Sequence, residues 1–204
     1  MKRKVISSLI LFFCCFYSIG QFKIYGDRDF KNYSDSLLKY IGLRETYFSK
    51  YDFEMRFWVT KIAGDDHALF SFKHLKNGTW TLNSYYFSTS DWSRFDKLQT
   101  DSLQLQERWI GKWDSLKNNH ILTLPTEMAV FKKWKSSTGN IIVVADGVNY
   151  RIELFTSKKR RRYSYTNPEV KLTCYDLNNA ELVAINSILT ILESELRFRK
   201  KMEL

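Results

Sequence analysis

From Tyr51 to Val59 the chain alternates: Tyr51, Phe53, Met55, Phe57 and Val59 are separated by Asp52, Glu54, Arg56 and Trp58. A period of two places the first set on one face of a β-strand, and the second set is expected mostly in solvent. Gly64-Asp65-Asp66 supplies a turn, after which Ala68, Phe70 and Phe72 begin a second strand. Within Lys76–Thr79, Asn77-Gly78 predicts a type I′ hairpin, because both residues accept positive φ. Trp80 to Phe87 reads as the returning strand, so residues 51–87 are expected to form a three-stranded antiparallel meander.

On either side the period changes. Phe30, Tyr33, Leu37, Leu38 and Ile41 recur at helical spacing and Gly42 follows as a C-cap, predicting a short helix over 29–41. Ser90 is placed to cap a helix opening at Asp91, and Phe95, Leu98, Leu105, Trp109, Trp113 and Leu116 continue it as one apolar stripe to 116. Pro125 marks a loop before a strand-like segment around 127–134. Ile141 to Ala145 reads as a short strand that Asp146-Gly147 turns into Val148–Phe155, where Val148, Tyr150, Ile152 and Leu154 alternate with polar residues. Ser157 to Arg162 reads as a turn, Tyr163-Ser164-Tyr165 leads back, Asn167-Pro168 ends that strand, and Val170 to Tyr175 predicts another. A last helix is expected from Asn178, with Glu181 three residues on and Leu182, Ile185, Leu189, Leu192 and Leu196 on its apolar side. Arg197, Arg199, Lys200 and Lys201 suit its negative end.

These elements predict an α+β fold, an antiparallel sheet of two meander or hairpin units packed by two long amphipathic helices, 91–116 and 178–198. Residues 43–118 and 125–198 follow the same order of elements, as two similar halves or as one large sheet. They share no residue-level repeat, and no low-complexity linker divides them. A single domain is expected.

The first twenty residues follow different rules. Lys2, Arg3 and Lys4 precede Val5–Ile19, which is apolar apart from Ser7, Ser8 and Ser18. That core falls short of the about 20 residues of a membrane-spanning helix and fits the roughly 7–15 residue core of a secretory signal. Small residues at Ser18 and Gly20 predict cleavage before Gln21, which leaves 21–204 as the domain, in the periplasm or outside the cell. Of the 32 Lys and Arg, three leave with the leader, so 29 face 22 Asp and Glu and the net charge falls from +10 to +7. Cys14 and Cys15 leave as well, and Cys174 alone cannot form an internal disulfide, so packing must hold the fold. Aromatic residues at 16% with only two prolines suit a β-rich core.

The sharpest local feature is Lys158-Lys159-Arg160-Arg161-Arg162. Five adjacent cations repel one another and require solvent or an anionic partner. Tyr163 and Tyr165 are then candidates to stack on bases or sugars beside them. The competing reading is a solvated hairpin tip whose charge discourages edge-to-edge aggregation. Asp65, Asp66 and His67 are weaker candidates for acid–base or metal chemistry, since Asp favours turns for its own reasons. His74 and His120 lie apart, and Cys174 reads as a small buried thiol in a strand. Trp109 and Trp113, one helical turn apart, read as core before sugar platform, whereas Trp58 on a polar row invites a partner.

The chain contains no His-Glu-x-x-His, calcium loop, Gly-x-Ser-x-Gly, phosphate-binding glycine loop or dinucleotide fingerprint, and neither cofactor nor metal is expected. The reading that follows is an exported, non-catalytic binding module. Its partner would be an anionic envelope surface or polymer, or another envelope protein. The alternatives are a hydrolase acting on envelope or extracellular polymers, and a structural or chaperone-like protein that pairs through a sheet edge.

Overall fold

In the computed structural model the described residues are 37–43, 48, 50–88, 97–105, 107–130, 147–174 and 179–204. Two units divide the chain at residue 45. In the first, residues 37–40 form a helical turn, and residues 29–36 of the expected helix lie outside the described ones. Gly42, at φ +71°, closes it: its N–H donates to the Lys39 carbonyl and that of Leu43 to the Leu38 carbonyl. These paired bonds form the Schellman stop that a glycine permits.

In the second unit the expected meander forms as β1 (Tyr51–Lys61), β2 (Asp66–Leu75) and β3 (Trp80–Ser88). The β2–β3 connection departs from type I′. Gly78 has positive φ while Asn77 does not, its N–H donates to the Leu75 carbonyl, and the Leu75 N–H donates to the Thr79 carbonyl. This is a three-residue loop with glycine as its one left-handed residue, and the Asn77 side chain instead accepts the Thr79 N–H at 3.0 Å.

The expected helix over 91–116 is corrected. Lys97–Leu105 is a strand, β4, paired to β3 from Ser88↔Lys97 to Trp80↔Leu105. Among the described residues of that stretch the helix, α1, begins at Arg108 and runs on to Asn118, and residues 91–96 and 106 lie outside the described ones. Gln, Thr, Asp and Ser fill β4 between its leucines, and the last three compete with the helix backbone through their own side chains. Pairing to β3 then decides the conformation.

Val148–Thr156 (β5) and Arg160–Thr166 (β6) complete a six-stranded, wholly antiparallel sheet in the order β4-β3-β2-β1-β5-β6. Because β1 pairs with β5, the meander and the later hairpin share one sheet. Gly147, at φ +142°, enters β5 where Asn167 closes on it. The Asn167 Oδ1 accepts the Val148 N–H at 2.6 Å, and a β-carbon on residue 147 would lie 1.9 Å from that oxygen.

The strand expected over 170–175 is also corrected: Pro168–Cys174 is a helix, α2. Asn167 at φ +46° ends β6, and Pro168 then stands at the first helical position, where its missing N–H costs nothing. Residues 127–130 make a helical turn in place of the expected strand, and 131–146 lie outside the described residues. The last long helix, α3 (Ala180–Leu196), starts two residues later than expected and is capped by Asn179, whose Oδ1 accepts the Leu182 N–H at 2.8 Å. It ends at Arg197 in a left-handed turn, and α4 (Phe198–Lys201) follows. Among the described residues no helix is long and apolar enough to cross a membrane.

One face of the sheet carries the main core. Met55, Phe57 and Val59 of β1, Phe70 and Phe72 of β2, and Tyr150, Ile152 and Leu154 of β5 join Leu182, Ile185, Leu189, Leu192 and Leu196 of α3. The expected stripe of α3 is buried throughout. Trp109 stacks on Phe72 with ring centroids 4.6 Å apart, as its core reading requires. Arg108 and Lys112 of α1 hold Glu195 of α3 at 3.0 and 2.6 Å. Phe198 wedges under the sheet, with ring centroids 5.3 Å from Phe57 and 6.0 Å from Tyr150. Phe198→Ala is expected to lower the unfolding free energy by about 3–5 kcal/mol, read from urea denaturation. A loss under about 1 kcal/mol would place the centre of the core elsewhere.

Candidate functional site

The β5–β6 hairpin carries all seven basic-patch candidates, and strand alternation divides them. The turn is shorter than expected: the Thr156 N–H donates to the Lys159 carbonyl, and the Thr156 hydroxyl accepts the N–H groups of Lys158 and Lys159 at 3.3 and 3.0 Å. Arg160, Arg161 and Arg162 are therefore strand residues, in register with Phe155, Leu154 and Glu153. Successive strand residues face opposite sides. Arg160 and Arg162 fall on the side away from the main core, and Arg161 falls with Tyr163 and Tyr165 on the core side. Residues 157–162 are all exposed.

The core-side row anchors the hairpin. Arg161 donates to the carbonyls of Thr123 and Leu124 at 2.9 and 2.6 Å. The hydroxyls of Tyr163 and Tyr165 donate to the carbonyls of Ile121 and Pro125, both at 2.7 Å. The Thr166 N–H donates to Glu127, which also binds Lys171 at 2.6 Å. Both tyrosine rings are buried, and burial pushes both phenols far above their ordinary pKa. Neither ring is available to stack on a ligand. The structure thus brings together Lys158, Lys159, Arg160 and Arg162 as an exposed group and separates Tyr163 and Tyr165 from it.

The other side of the sheet differs from the expectation of solvent. Glu54 and Arg56 of β1 are 0% and 1% exposed, and Trp58 beside them is buried as well. The Glu54 carboxylate accepts from Arg56 Nε at 2.6 Å, Ser71 Oγ at 3.0 Å and Tyr51 Oη at 2.9 Å. Three donors on one carboxylate compensate its loss of water. Trp58 Nε1 donates to Glu153 at 3.0 Å. The Arg56 guanidinium lies 4.7 Å from the Phe155 ring centroid and that of Arg160 lies 4.9 Å from it, so one ring links the buried pair to the exposed cations.

Sequence patterning missed this polar cluster. A signal was present: Trp58, Leu69, Tyr85, Phe87 and Phe155 stand at the non-core parity of four strands, and one such row on each strand marks a second buried face.

The remaining candidates do not converge. Asp65 is in the β1–β2 turn, Asp66 is 3.5 Å from Lys61, and His67 is buried against Phe87. Among the described residues no group of three His, Cys, Asp or Glu side chains is placed to hold a metal ion. His74 pairs with Asp52 at 2.7 Å, and His120 lies in an exposed loop at φ +63°. The backbone of Cys174 ends α2 and is not in a strand, and its side chain lies outside the described residues. No family model matches the chain, and no curated protein matches it.

Burial holds the His67 imidazole down to about 4 from its ordinary 6.5, opposed by Asp66 and assisted by Lys61. Between pH 6.5 and about 4 the unfolded chain binds a proton that the folded chain refuses, so stability falls as pH falls through that window. Between pH 7 and pH 5 the natural chain is expected to lose about 2 kcal/mol more than a His67→Gln variant. Urea denaturation at the two pH values checks this; equal losses refute it. Glu54→Ala is expected to cost about 3–5 kcal/mol, because Arg56 stays buried without its carboxylate. Thermal unfolding monitored by circular dichroism reads that cost.

Proposed function

We propose that the chain is an exported, non-catalytic binding module that docks a polyanionic surface through the β5–β6 hairpin. The observation that carries this reading is a charge imbalance at one place. Five consecutive cations are exposed, and among the described residues no carboxylate pairs with Lys158, Lys159, Arg160 or Arg161. Elsewhere on this unit Arg56, Lys112, Lys117, Lys171 and Arg199 each have a carboxylate partner, and the exposed Arg197, Lys200 and Lys201, for which no carboxylate partner stands among the described residues, form a smaller group than the five of the hairpin. Concentrated unpaired charge of one sign raises the local concentration of a partner of the other sign.

Rigidity supports the same reading. Arg161, Tyr163 and Tyr165 tie the hairpin to the Ile121–Pro125 backbone, so the cations are held at fixed spacing before any partner arrives. Pre-organisation lowers the entropic cost of docking. The leader pattern of residues 1–20 supports an address in the periplasm or outside the cell, where anionic lipids and acidic polymers would be the partners to meet.

The combined variant Lys158→Ser, Lys159→Ser and Arg160→Ser is expected to elute from an immobilised long-chain polyphosphate column at clearly lower salt than the natural chain. Its binding constant should also depend less steeply on salt concentration, because fewer counterions are released. Removing Lys158 and Lys159 should leave the unfolding free energy nearly unchanged, and removing Arg160 from the Phe155 ring should cost about 1 kcal/mol. Elution of both proteins at the same salt concentration would remove the hairpin as the docking surface.

A further inference from the structure

Resting on that reading of the hairpin, we infer that its partner is a membrane surface bearing anionic lipid headgroups, and that Leu122 enters the lipid beside the cations. Three observations point there. The first is the state of the aromatic rings. A surface that binds single-stranded nucleic acid presents open ring faces, on which the bases stack. Tyr150, Phe155, Tyr163 and Tyr165, the hairpin's rings, are all buried. The Tyr163 and Tyr165 hydroxyls are engaged with backbone carbonyls and that of Tyr150 with Glu169, and Phe155 has the guanidinium groups of Arg56 and Arg160 against it. The exposed part of the hairpin is left with charge alone, and charge alone suits phosphate headgroups.

The second observation is the shape of the cationic group. The exposed run Ser157–Arg162 covers the turn and the first residues of a strand at the end of the sheet order. Its cations are carried at a hairpin tip, where several of them can meet one flat, densely charged plane together. Each Lys or Arg near an anionic leaflet adds to the attraction, and the effect decays within a Debye length.

The third observation is an apolar side chain in water at the same place. Leu122 is 40% exposed. Its neighbours on both sides are fixed by the hairpin: the Ile121 carbonyl receives the Tyr163 hydroxyl, and the Thr123 carbonyl receives Arg161. Leu122 is thereby held next to Arg161, at the edge strand whose turn carries Lys158 and Lys159. Met128, on the same segment just beyond the Glu127 that binds Thr166, is 67% exposed. Cations with exposed apolar side chains among them form the pattern of a surface that lies on a membrane without spanning it: the charges meet headgroups and the apolar atoms reach the acyl boundary. A soluble polyanion would use the charges and leave Leu122 in water.

The test uses the full chain purified from an exporting host, with its N-terminus read by mass spectrometry. Sedimentation is measured with vesicles of phosphatidylglycerol and phosphatidylcholine, with pure phosphatidylcholine vesicles, and in parallel with soluble long-chain polyphosphate as competitor and as ligand. The natural chain is expected to sediment with the anionic vesicles and to stay in solution with the neutral ones. Leu122→Ser is expected to weaken anionic-vesicle binding about fivefold and to leave polyphosphate binding unchanged. If polyphosphate is bound but anionic vesicles are not, or if Leu122→Ser leaves vesicle affinity as it was, the lipid inference fails and the anion-docking hairpin stands. Equal binding to neutral vesicles also overturns the inference, since charge would then not be what recruits the chain. If the natural chain binds neither polyphosphate nor anionic vesicles, the hairpin reading falls together with it.

Discussion

The pairing of β1 with a strand on each side is the constraint on which the molecule depends. It runs antiparallel to β2 from Phe53↔His74 to Thr60↔His67 and to β5 from Phe53↔Thr156 to Lys61↔Val148. Segments about a hundred residues apart in the chain are thereby fixed to one ladder. A strand bonded on both edges has no freedom of register, because a slip of one residue would exchange its two faces. Such a slip would carry Met55, Phe57 and Val59 out of the core and bring Glu54 and Arg56 into it. The same parity propagates outward through β5 to β6, where it decides that Arg161 anchors the hairpin and Arg160 faces away from the core.

Both faces of β1 are buried, but they are stabilised differently. One face is apolar and contiguous with α3, so its contribution scales with area removed from water. The other holds a carboxylate that accepts from a guanidinium, a hydroxyl and a phenol, with an indole bonded to a second carboxylate. There the hydrogen bonds chiefly offset desolvation, and the arrangement adds specificity of pairing more than net stability. Arg56 and Arg160 on the ring of Phe155 connect this buried network to the solvent-exposed cations. The hairpin is therefore braced from both sides of the sheet: by backbone carbonyls on one and by an aromatic ring on the other.

Much of the fold was legible in the sequence where periodicity was strong. The alternation of Tyr51–Val59, the hairpin at Asn77-Gly78 (though not its type I′ form) and the leucine stripe of α3 predict elements that the structure contains. Where two periods fit the same residues, sequence reading went astray. Leu98, Leu105 and Trp109 satisfy a helical stripe, yet the partner strand β3 claims Lys97–Leu105, and such pairing is a tertiary fact that local spacing does not contain. Val170–Cys174 has strand-forming residues, but Pro168 behind a left-handed Asn167 starts a helix. At the hairpin the run of like charges has no hydrophobic period, which hid the strand character of Arg160–Arg162. Extending the alternation of Tyr163 and Tyr165 back by two residues gives the correct parity. The buried polar face was hidden because Glu54 and Arg56 look like solvent residues until their partners Tyr51, Ser71 and Phe155 are placed beside them.

The closure at the far end of the β5–β6 hairpin links two distant positions. Any side chain at residue 147 would occupy the space of the Asn167 amide, and Asn167 in turn holds a backbone angle that few residues besides asparagine and glycine adopt readily. Loss of the glycine would evict the asparagine, whereas loss of the asparagine would still leave residue 147 at φ +142°, an angle that only glycine adopts readily. The dependence therefore runs one way: the asparagine has its place only because residue 147 carries no side chain, and the end of the hairpin closes on a glycine that its own backbone already requires.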